Sequence, residues 1–285
     1  MTYRNFTEEE LLFQYSPQAS VPESPVWKAH WNLSSERVRK ERSGQLRVPY
    51  GPTPGQTLDI FSATEPGSPI NIFVHGGFWR FLDSFDHTLV VPAVVDAGGA
   101  SVLLNYDLCP AVSLIEVIRQ VRSALKWVWE HAEEMNGDRD KIYISGHSAG
   151  GHLALMLCRA DFLDDLGLPE DVVKGATIVS AMLDLEPILE VPGCEDLLIP
   201  RDAFRDVSPV YCPPAPRIPI IIAVGALETS EWIRQTEEMV AVLKEQGSPT
   251  IFLKPDYDQH YSILLSLGNP MTELCSEMLK QMGLG

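Results

Sequence analysis

Length, composition and charge describe a globular protein and exclude several classes of partner. The 285 residues are 45% hydrophobic and 21% charged, enough for a sizeable core, and no apolar run reaches the roughly eighteen residues of a membrane-spanning helix. The formal net charge of −17 at pH 7 would repel phosphate backbones and anionic lipids. We therefore expect neither nucleic acid nor a membrane as a partner.

Cysteine usage and the N-terminal segment indicate a cytoplasmic protein. The five cysteines are widely spaced and contain no C-x-x-C pair, which argues against a disulfide framework and against a thiolate zinc site. The N-terminal segment also lacks the charged-then-apolar pattern of a secretion signal. The sequence therefore predicts reduced thiols in the cytoplasm.

The first part of the chain predicts helices that lie on a larger domain. Apolar spacing indicates a short helix at 7–15 and a longer one at about 24–42, with a basic end. Trp27 and Trp31 are expected to pack against the main body, with the wall of a substrate pocket as the alternative. Residues 1–44 are therefore interpreted as a helical arm.

From residue 45 onward, strand and helix patterns alternate. Strands are predicted at 46–50, 57–62, 69–74, 100–106, from 142 onward, 176–180, 218–224 and 250–254, and helices at 89–97, 114–128, 231–245 and 272–282. Strands that are apolar on both faces are typical of a mostly parallel sheet with helices on both faces. The first two strands, joined by a short turn, predict an antiparallel N-terminal edge. The fold class is therefore α/β.

Residues 45–285 are expected to form a single domain. No flexible linker, repeat or low-complexity tract interrupts this range. The segment 184–216 is the least regular part and is rich in proline and acidic residues. We expect it to form a small cap, inserted over the active site.

The sequence Gly-His-Ser-Ala-Gly at 146–150 predicts a nucleophile elbow. It follows a β-branched strand and precedes a helical pattern, which is the context in which G-x-S-x-G marks an exposed, strained serine. Small residues at both ends let the strand and the helix pass closely. Ser148 is therefore the predicted nucleophile, with a polar residue in a tight turn as the alternative.

Downstream of the elbow, one histidine and three carboxylates are candidates to complete the site. A serine nucleophile needs a base, and the base needs an acid that orients it. His260 is the one histidine beyond the elbow segment and follows the last predicted strand. Glu228, four residues past the preceding strand, is the predicted acid, because acid and then base follow the serine in chains of this kind. Glu231 and Asp184 are the alternatives.

A glycine-rich sequence after the third predicted strand indicates an oxyanion hole. Residues 75–79 read His-Gly-Gly-Phe-Trp, and glycines at this place allow successive amides to point to one spot. The predicted donors are the amides of Gly77, Phe78 and Ala149. They would stabilise the negative oxygen of a tetrahedral intermediate.

The same loop contains the predicted substrate-binding residues, Trp79 and Gly76. Phe78 and Trp79 are suited to flank an aromatic substrate, with packing as an equal alternative. His75 is interpreted as a structural residue that ties the loop by hydrogen bonds.

No metal site is predicted. His147 and His152 flank the serine, but residues five apart do not share a helix face, and no third ligand is spaced for a metal. Asp161, Asp164 and Asp165 lack the glycine and glutamate positions of a calcium loop. We therefore expect neither a metal nor another cofactor.

Several short sequences, taken together, resemble one known family. They are V-P-Y-G at 48–51, L-D-I at 58–60, H-G-G-F-W at 75–79, N-Y-D-L-C-P at 105–110, G-H-S-A-G-G-H-L-A at 146–154, D-L-E-P at 184–187, S-P at 208–209 and S-E-W-I-R-Q at 230–235. Over nearly its whole length the chain resembles the arylformamidase (kynurenine formamidase) branch of the α/β-hydrolase superfamily. The G-H-S-A-G-x-H-L sequence at 146–153 and the H-G-G-x-W sequence at 75–79 are shared with related esterases.

The resemblance implies an α/β-hydrolase fold, a Ser148–His260–Glu228 triad and a homodimer. Two positions depart from the family, which usually has Asp where this chain has Glu228 and commonly Asp-His where it has Gln259-His260. The longer Glu side chain must retract, or its loop must shift, to keep its hydrogen bond to the base.

The expected function is that of a serine hydrolase with an acyl-enzyme on Ser148. The resemblance implies small aryl amides as substrates, most specifically N-formylkynurenine, with release of formate. The alternative is a carboxylesterase, or a hydrolase of carbamates or other amides, that acts on small aromatic substrates. A non-catalytic ligand receptor on the same fold would be expected to lack the nucleophile, the base or the oxyanion loop.

Overall fold

An eight-stranded sheet runs through the centre of the protein, in a computed structural model that describes residues 3–285. The strands are β1 (Gln45–Pro49), β2 (Thr57–Phe61), β3 (Ser68–Val74), β4 (Ala100–Leu104), β5 (Gly137–His147), β6 (Val173–Val179), β7 (Ile220–Ala223) and β8 (Thr250–Leu253). Their order across the sheet is β1-β2-β4-β3-β5-β6-β7-β8. Pairing is antiparallel between β1 and β2 and between β2 and β4, and parallel elsewhere. The predicted sheet and its antiparallel edge are confirmed.

Helices precede the sheet and alternate with its strands. The α-helices are α1 (Glu8–Tyr15), α2 (Pro17–Ser20), α3 (Ser24–Glu41), α4 (Val91–Asp96), α5 (Leu114–Glu130), α6 (Ala149–Leu157), α7 (Ala160–Leu166), α8 (Ser230–Glu245), α9 (Ser262–Leu267) and α10 (Glu273–Gln281). Short 3₁₀ turns occupy Tyr3–Asn5, Ser84–Val90, Ala132–Met135, Pro187–Glu190, Glu195–Leu197 and Phe204–Val207. Within residues 3–285, none of the helices combines the length and the apolar character needed to cross a membrane.

The core lies on both faces of the sheet. Alternate residues of β3 point to opposite faces, so that Ile72 and Val74 join one hydrophobic cluster and Phe73 joins the other. Helices α5 to α8 contribute to the first cluster, and α4, α9 and α10 contribute to the second. Helices on both faces, as expected from strands that are apolar on both sides, are thus confirmed.

Residues 3–41 form mainly helices that lie on the domain. Thr7 and Glu10 form a capping box that starts α1, and Leu11 and Tyr15 are its buried residues. In α3 the buried side chains include Trp31, Ser35 and Val38, spaced three to four apart as on one helix face. The helices predicted at 7–15 and 24–42 are therefore present, with ends that differ by one residue.

Hydrogen bonds tie the end of α1 to the start of α8. The Gln14 carbonyl accepts from the Thr229 hydroxyl at 2.8 Å. The Tyr15 hydroxyl donates to Glu231 Oε2 at 2.8 Å and accepts from Gln235 Nε2 at 2.9 Å, in a buried setting. These contacts fix the arm next to the loop that carries Glu228.

The structure contains short elements that the sequence pattern did not indicate. Helices α2, α7 and α9 span four to seven residues, too few for a helical periodicity to emerge. Strand β5 begins at Gly137, whereas the sequence pattern indicated a start at 142. The pattern missed the first residues because they are mostly polar and less buried than the second half of the strand. The segment 184–216 forms three 3₁₀ turns without a helix or strand of regular length.

We expect Tyr15→Phe to destabilise the protein by about 1–3 kcal/mol, because the buried Glu231 and Gln235 each lose a hydrogen-bond partner. Urea unfolding followed by far-UV circular dichroism measures this difference. Tyr257→Phe is the matched control, since Tyr257 is 91% exposed and its change should fall within about 0.5 kcal/mol. Equal stability of the two variants would contradict the role of the Tyr15 hydroxyl.

Candidate active site

Ser148 occupies a strained turn between β5 and α6. Its backbone has φ 58° and ψ −124°, a conformation that non-glycine residues rarely adopt. Glycine at position 150 permits this close packing, because a Cβ atom there would overlap the carbonyl oxygens of Val74 and His75. The Ser148 amide donates to the Val179 carbonyl at 2.9 Å and pins the turn to β6. The elbow geometry predicted from the sequence is therefore present.

His260 joins Ser148 to Glu228 through two hydrogen bonds. His260 Nε2 lies 3.0 Å from Ser148 Oγ, and His260 Nδ1 lies 2.8 Å from Glu228 Oε2. A carboxylate only accepts, so the proton of the neutral imidazole lies on Nδ1, and Nε2 is free to accept from the serine hydroxyl. All three side chains are buried or nearly so. The structure thus brings together the three residues proposed as a triad.

Glu228 reaches the histidine by folding back on its own turn. Its Oε1 accepts from the Gly225 amide at 2.8 Å and from the Ser180 hydroxyl, which leaves Oε2 for His260. The Glu228 amide also donates to the Gly225 carbonyl at 3.1 Å, closing the turn. The extra methylene of Glu, relative to Asp, is accommodated by this retraction.

The alternative acids have other partners. Glu231 accepts from Tyr15 and lies 3.0 Å from Arg234 Nε. Asp184 lies 3.2 Å from Arg234 Nη2 and accepts from the Tyr3 hydroxyl at 3.3 Å. Neither is hydrogen-bonded to His260, so the geometry favours Glu228 in the orienting position.

The glycine-rich loop lies against the elbow and offers free amides. A Cβ atom at Gly76 would stand 2.8 Å from the His147 carbonyl and 3.1 Å from Ser148 Cβ, which places the loop beside the serine. Gly77 has φ +117° and Phe78 has φ +57°, so the chain turns sharply here. Across residues 3–285, the amides of Gly77, Phe78 and Ala149 donate to no backbone or side-chain acceptor. These donors are available to a ligand at Ser148.

A cavity opens onto Ser148. The loop contributes Gly76, Gly77, Phe78, Phe81 and Leu82, and the remaining lining residues are Pro17, Gln18, Lys28, Trp31, His87, His147, Ser148, His260 and Tyr261. We expected a cap from 184–216 over the site, but within the described chain no residue of that segment lines the cavity. Helices α2 and α3 of the arm form that wall instead. Trp31 thus walls the pocket, as the alternative interpretation had it.

The position of Trp79 corrects its assignment to substrate binding. Its side chain is fully buried and meets the ring of His152 edge-on, with 5.0 Å between the centroids. Its carbonyl accepts from the Cys109 amide at 2.9 Å. Phe78 and Trp79 both have φ 57°, and the resulting turn puts Phe78 in the cavity lining and Trp79 in the core. Gly76 lines the cavity, and its role in substrate binding stays a prediction.

Four other histidines are buried and held by carbonyl groups. His75 Nδ1 lies 2.7 Å from the Gly76 carbonyl, and His87 Nδ1 lies 3.0 Å from the Asp83 carbonyl. His152 Nε2 lies 2.7 Å from the Val207 carbonyl, and His147 Nε2 lies 2.8 Å from the carbonyl of His260. Burial lowers the pKa of His75 to about 3 and that of His152 to about 4, and holds the pKa of His147 well below its usual range. Neutral His147 thus fixes the backbone of His260, a role that the sequence did not indicate.

The histidines do not form a metal centre. His147 and His152 bind different carbonyls, and in the part of the chain that the structure describes no three His, Cys, Asp or Glu side chains are placed to hold a metal ion.

The fold and the site together define a serine hydrolase of the α/β-hydrolase class, in which the nucleophile follows a central parallel strand and the acid and base follow later strands. A family model described as BD-FAE matches residues 58–243. The chain belongs to this BD-FAE family.

Individual relatives include a formamidase and esterases. The kynurenine formamidase of Danio rerio is 29% identical, over 99% of this chain and 98% of that protein. Esterase LipC of Mycobacterium tuberculosis is 31% identical, over 70% of this chain and 54% of that protein. A crystal structure from Silicibacter sp. TM1040, with a thioesterase description, superposes with a TM-score of 0.82 at 24% identity, over 94% of this chain and 98% of that one. The similarity to this crystal structure concerns the fold alone.

The buried imidazoles predict that acid destabilises the protein. An unfolded histidine titrates near pH 6.5, whereas burial lowers the pKa of His75 to about 3 and that of His152 to about 4. At pH values between the folded and the unfolded pKa, the unfolded state binds more protons than the folded state. The free energy of unfolding therefore falls as the pH decreases from about 6.5 to about 4, by up to about 1.4 kcal/mol per pH unit for each imidazole.

Urea unfolding at a series of pH values measures this slope. His152→Gln removes one of the titrations and should flatten the slope, whereas His30→Gln changes an exposed histidine and should leave it as in the wild type. An unchanged slope in His152→Gln would contradict the assignment.

Proposed function

We propose that the protein is an arylformamidase that hydrolyses N-formyl aryl amides such as N-formylkynurenine. The observation that carries the mechanism is the pair of hydrogen bonds, 3.0 Å and 2.8 Å long, that join Ser148, His260 and Glu228. The substrate is inferred from the formamidase relative, which aligns with nearly the whole chain, whereas the esterase relative aligns with part of it. Full-length alignment includes the arm, which forms one wall of the cavity.

Acylation begins with the transfer of the Ser148 hydroxyl proton to His260 Nε2. The serine oxygen attacks the formyl carbon, and the carbonyl oxygen becomes an oxyanion that accepts hydrogen bonds from the amides of Gly77, Phe78 and Ala149. Glu228 stabilises the imidazolium through Nδ1–H. His260 then gives its proton to the aryl nitrogen, the C–N bond breaks, and the aryl amine leaves.

Deacylation repeats these steps with water. His260 removes a proton from a water molecule, which attacks the formyl-enzyme ester at Ser148. The second tetrahedral intermediate collapses, the serine oxygen recovers the proton, and formate is released. One oxyanion site and one base thus suffice for both halves of the reaction.

The cavity suits a planar aromatic substrate. Trp31, Phe78, Phe81 and Tyr261 supply aromatic surface around the nucleophile.

The second candidate is a carboxylesterase for small aromatic esters. The esterase relative favours it, and an ester uses the same nucleophile, base and oxyanion donors with an alkoxide or phenoxide as the leaving group. The two functions therefore differ in the leaving group and not in the triad.

Replacement of the proposed triad residues tests the mechanism. Ser148→Ala should abolish labelling by a fluorophosphonate probe, because the probe phosphonylates an activated serine. Glu228→Gln should lower kcat by roughly three to four orders of magnitude, as expected when the acid that orients the base becomes an amide. Asp184→Asn is the control for the acid. Full activity of Glu228→Gln together with loss of activity in Asp184→Asn would transfer the acid's role to Asp184.

A comparison of substrates tests the proposed activity. We expect kcat/KM for N-formylkynurenine to equal or exceed that for phenyl acetate, although an aryl ester is the more reactive acyl donor, because the pocket would stabilise the formamide transition state selectively. Initial rates by absorbance of the released aryl amine or phenol measure both constants. Preference for the ester by many orders of magnitude would leave the serine mechanism intact and would establish the carboxylesterase.

A further inference from the structure

One positively charged side chain lines the cavity that contains Ser148. Lys28, on α3, contributes to the lining, and within residues 3–285 no Asp or Glu lines the same cavity. The sign of this charge is opposite to that of the whole chain, which carries 39 acidic and 22 basic residues. The charge that a substrate meets next to the aromatic walls is therefore positive.

Lys28 has no carboxylate partner in the described part of the chain. Its own helix offers none, because the positions three and four residues away are Ser24, Pro25, Trp31 and Asn32. Lys40 on the same helix, by contrast, is paired with Glu36 at 2.6 Å although both are exposed. The Lys28 ammonium group is thus available to an external anion.

The side chain is held near the base by Tyr261. Lys28 is half-buried, and its Nζ lies over the Tyr261 ring, 5.9 Å from the centroid. The Tyr261 ring in turn lies 5.8 Å from the ring of His260, in an edge-on arrangement. The Tyr261 ring therefore neighbours both the ammonium group and the imidazole of His260, and all three side chains line the cavity that contains Ser148.

We propose that Lys28 is a specificity-determining residue that binds a carboxylate carried by the substrate. The enzyme would then prefer N-formyl aryl amides that carry a carboxylate side chain over N-formyl aryl amides without one. This inference rests on the proposed role of Ser148 in the same cavity. The partly buried position strengthens the attraction between ammonium and carboxylate relative to a fully solvated pair. The exposed amide of Gln18, also in the lining, is a second hydrogen-bonding group at this end of the cavity.

The contribution of Lys28 is measured with pairs of substrates that differ by one charge. The first pair is N-formylkynurenine and its carboxamide, and the second is 4-acetoxyphenylacetate and 4-acetoxyphenylacetamide. Lys28→Met keeps the length of the side chain and removes the charge. We expect KM for each carboxylate substrate to rise about tenfold or more, kcat to stay within about twofold, and both constants for the neutral substrates to remain unchanged.

Three further variants and the salt dependence separate a charge effect from a packing effect. Lys28→Arg should recover most of the lost affinity, and Lys28→Glu should raise KM for carboxylates beyond the value for Lys28→Met. Lys40→Met, on the exposed part of the same helix, should behave as the wild type. In the wild type, the advantage of the carboxylate substrates should shrink as the ionic strength rises.

An equal change in KM for charged and neutral substrates, or no change in either, would overturn the proposal for Lys28. Failure of the proposed function has a different signature: neither formamide is hydrolysed, while both esters are. In that case the ester pair still measures the preference for a carboxylate and its dependence on Lys28. Thermal unfolding of each variant verifies that α3 remains docked.

Discussion

The structure depends on the close approach of β3, β5 and α6 around Ser148. A left-handed backbone at a serine costs about 1–3 kcal/mol, and such a conformation persists only where its surroundings determine it. Here β5 is paired on both sides by parallel strands, the Ser148 amide bonds to β6, and Gly150 allows α6 to touch the carbonyls at the end of β3. The stability of the central sheet therefore holds Ser148, the proposed nucleophile, in this strained geometry.

The same region also positions the base, through a residue that does no chemistry itself. His147, directly before Ser148, donates a hydrogen bond to the carbonyl of His260, so that the elbow is tied to the proposed base. The proposed acid depends on a different set of contacts, in which the Gly225 amide and the Ser180 hydroxyl donate to Oε1 of Glu228. Serine and histidine are thus coupled through β5, whereas the acid is supported by the loop after β7 and, behind it, by the contact between α1 and α8.

The residues with local sequence signals could be predicted, and those placed by tertiary packing could not. Ser148 and the oxyanion loop lie in short motifs, and His260 is alone in its part of the chain, so spacing was sufficient. Trp79 was misplaced because two consecutive left-handed residues decide which of two adjacent aromatic rings faces the cavity, and no composition reveals that turn. The position of the arm over the cavity follows from contacts such as Ser35 Oγ to the Asp86 carbonyl, between segments far apart in sequence.

The arm connects these observations, because it closes the site from outside the part of the chain that performs catalysis. Helix α3 packs on the 3₁₀ turn Ser84–Val90, which follows the oxyanion loop, and Trp31 contacts both His87 and His147. A change in α2 or α3 can therefore alter the cavity wall directly, whereas α1 supports the loop that carries Glu228 through its contact with α8. Under the proposed function, the residues that meet the substrate's ring lie partly in helices that precede the sheet, whereas the residues proposed for the chemistry follow its strands.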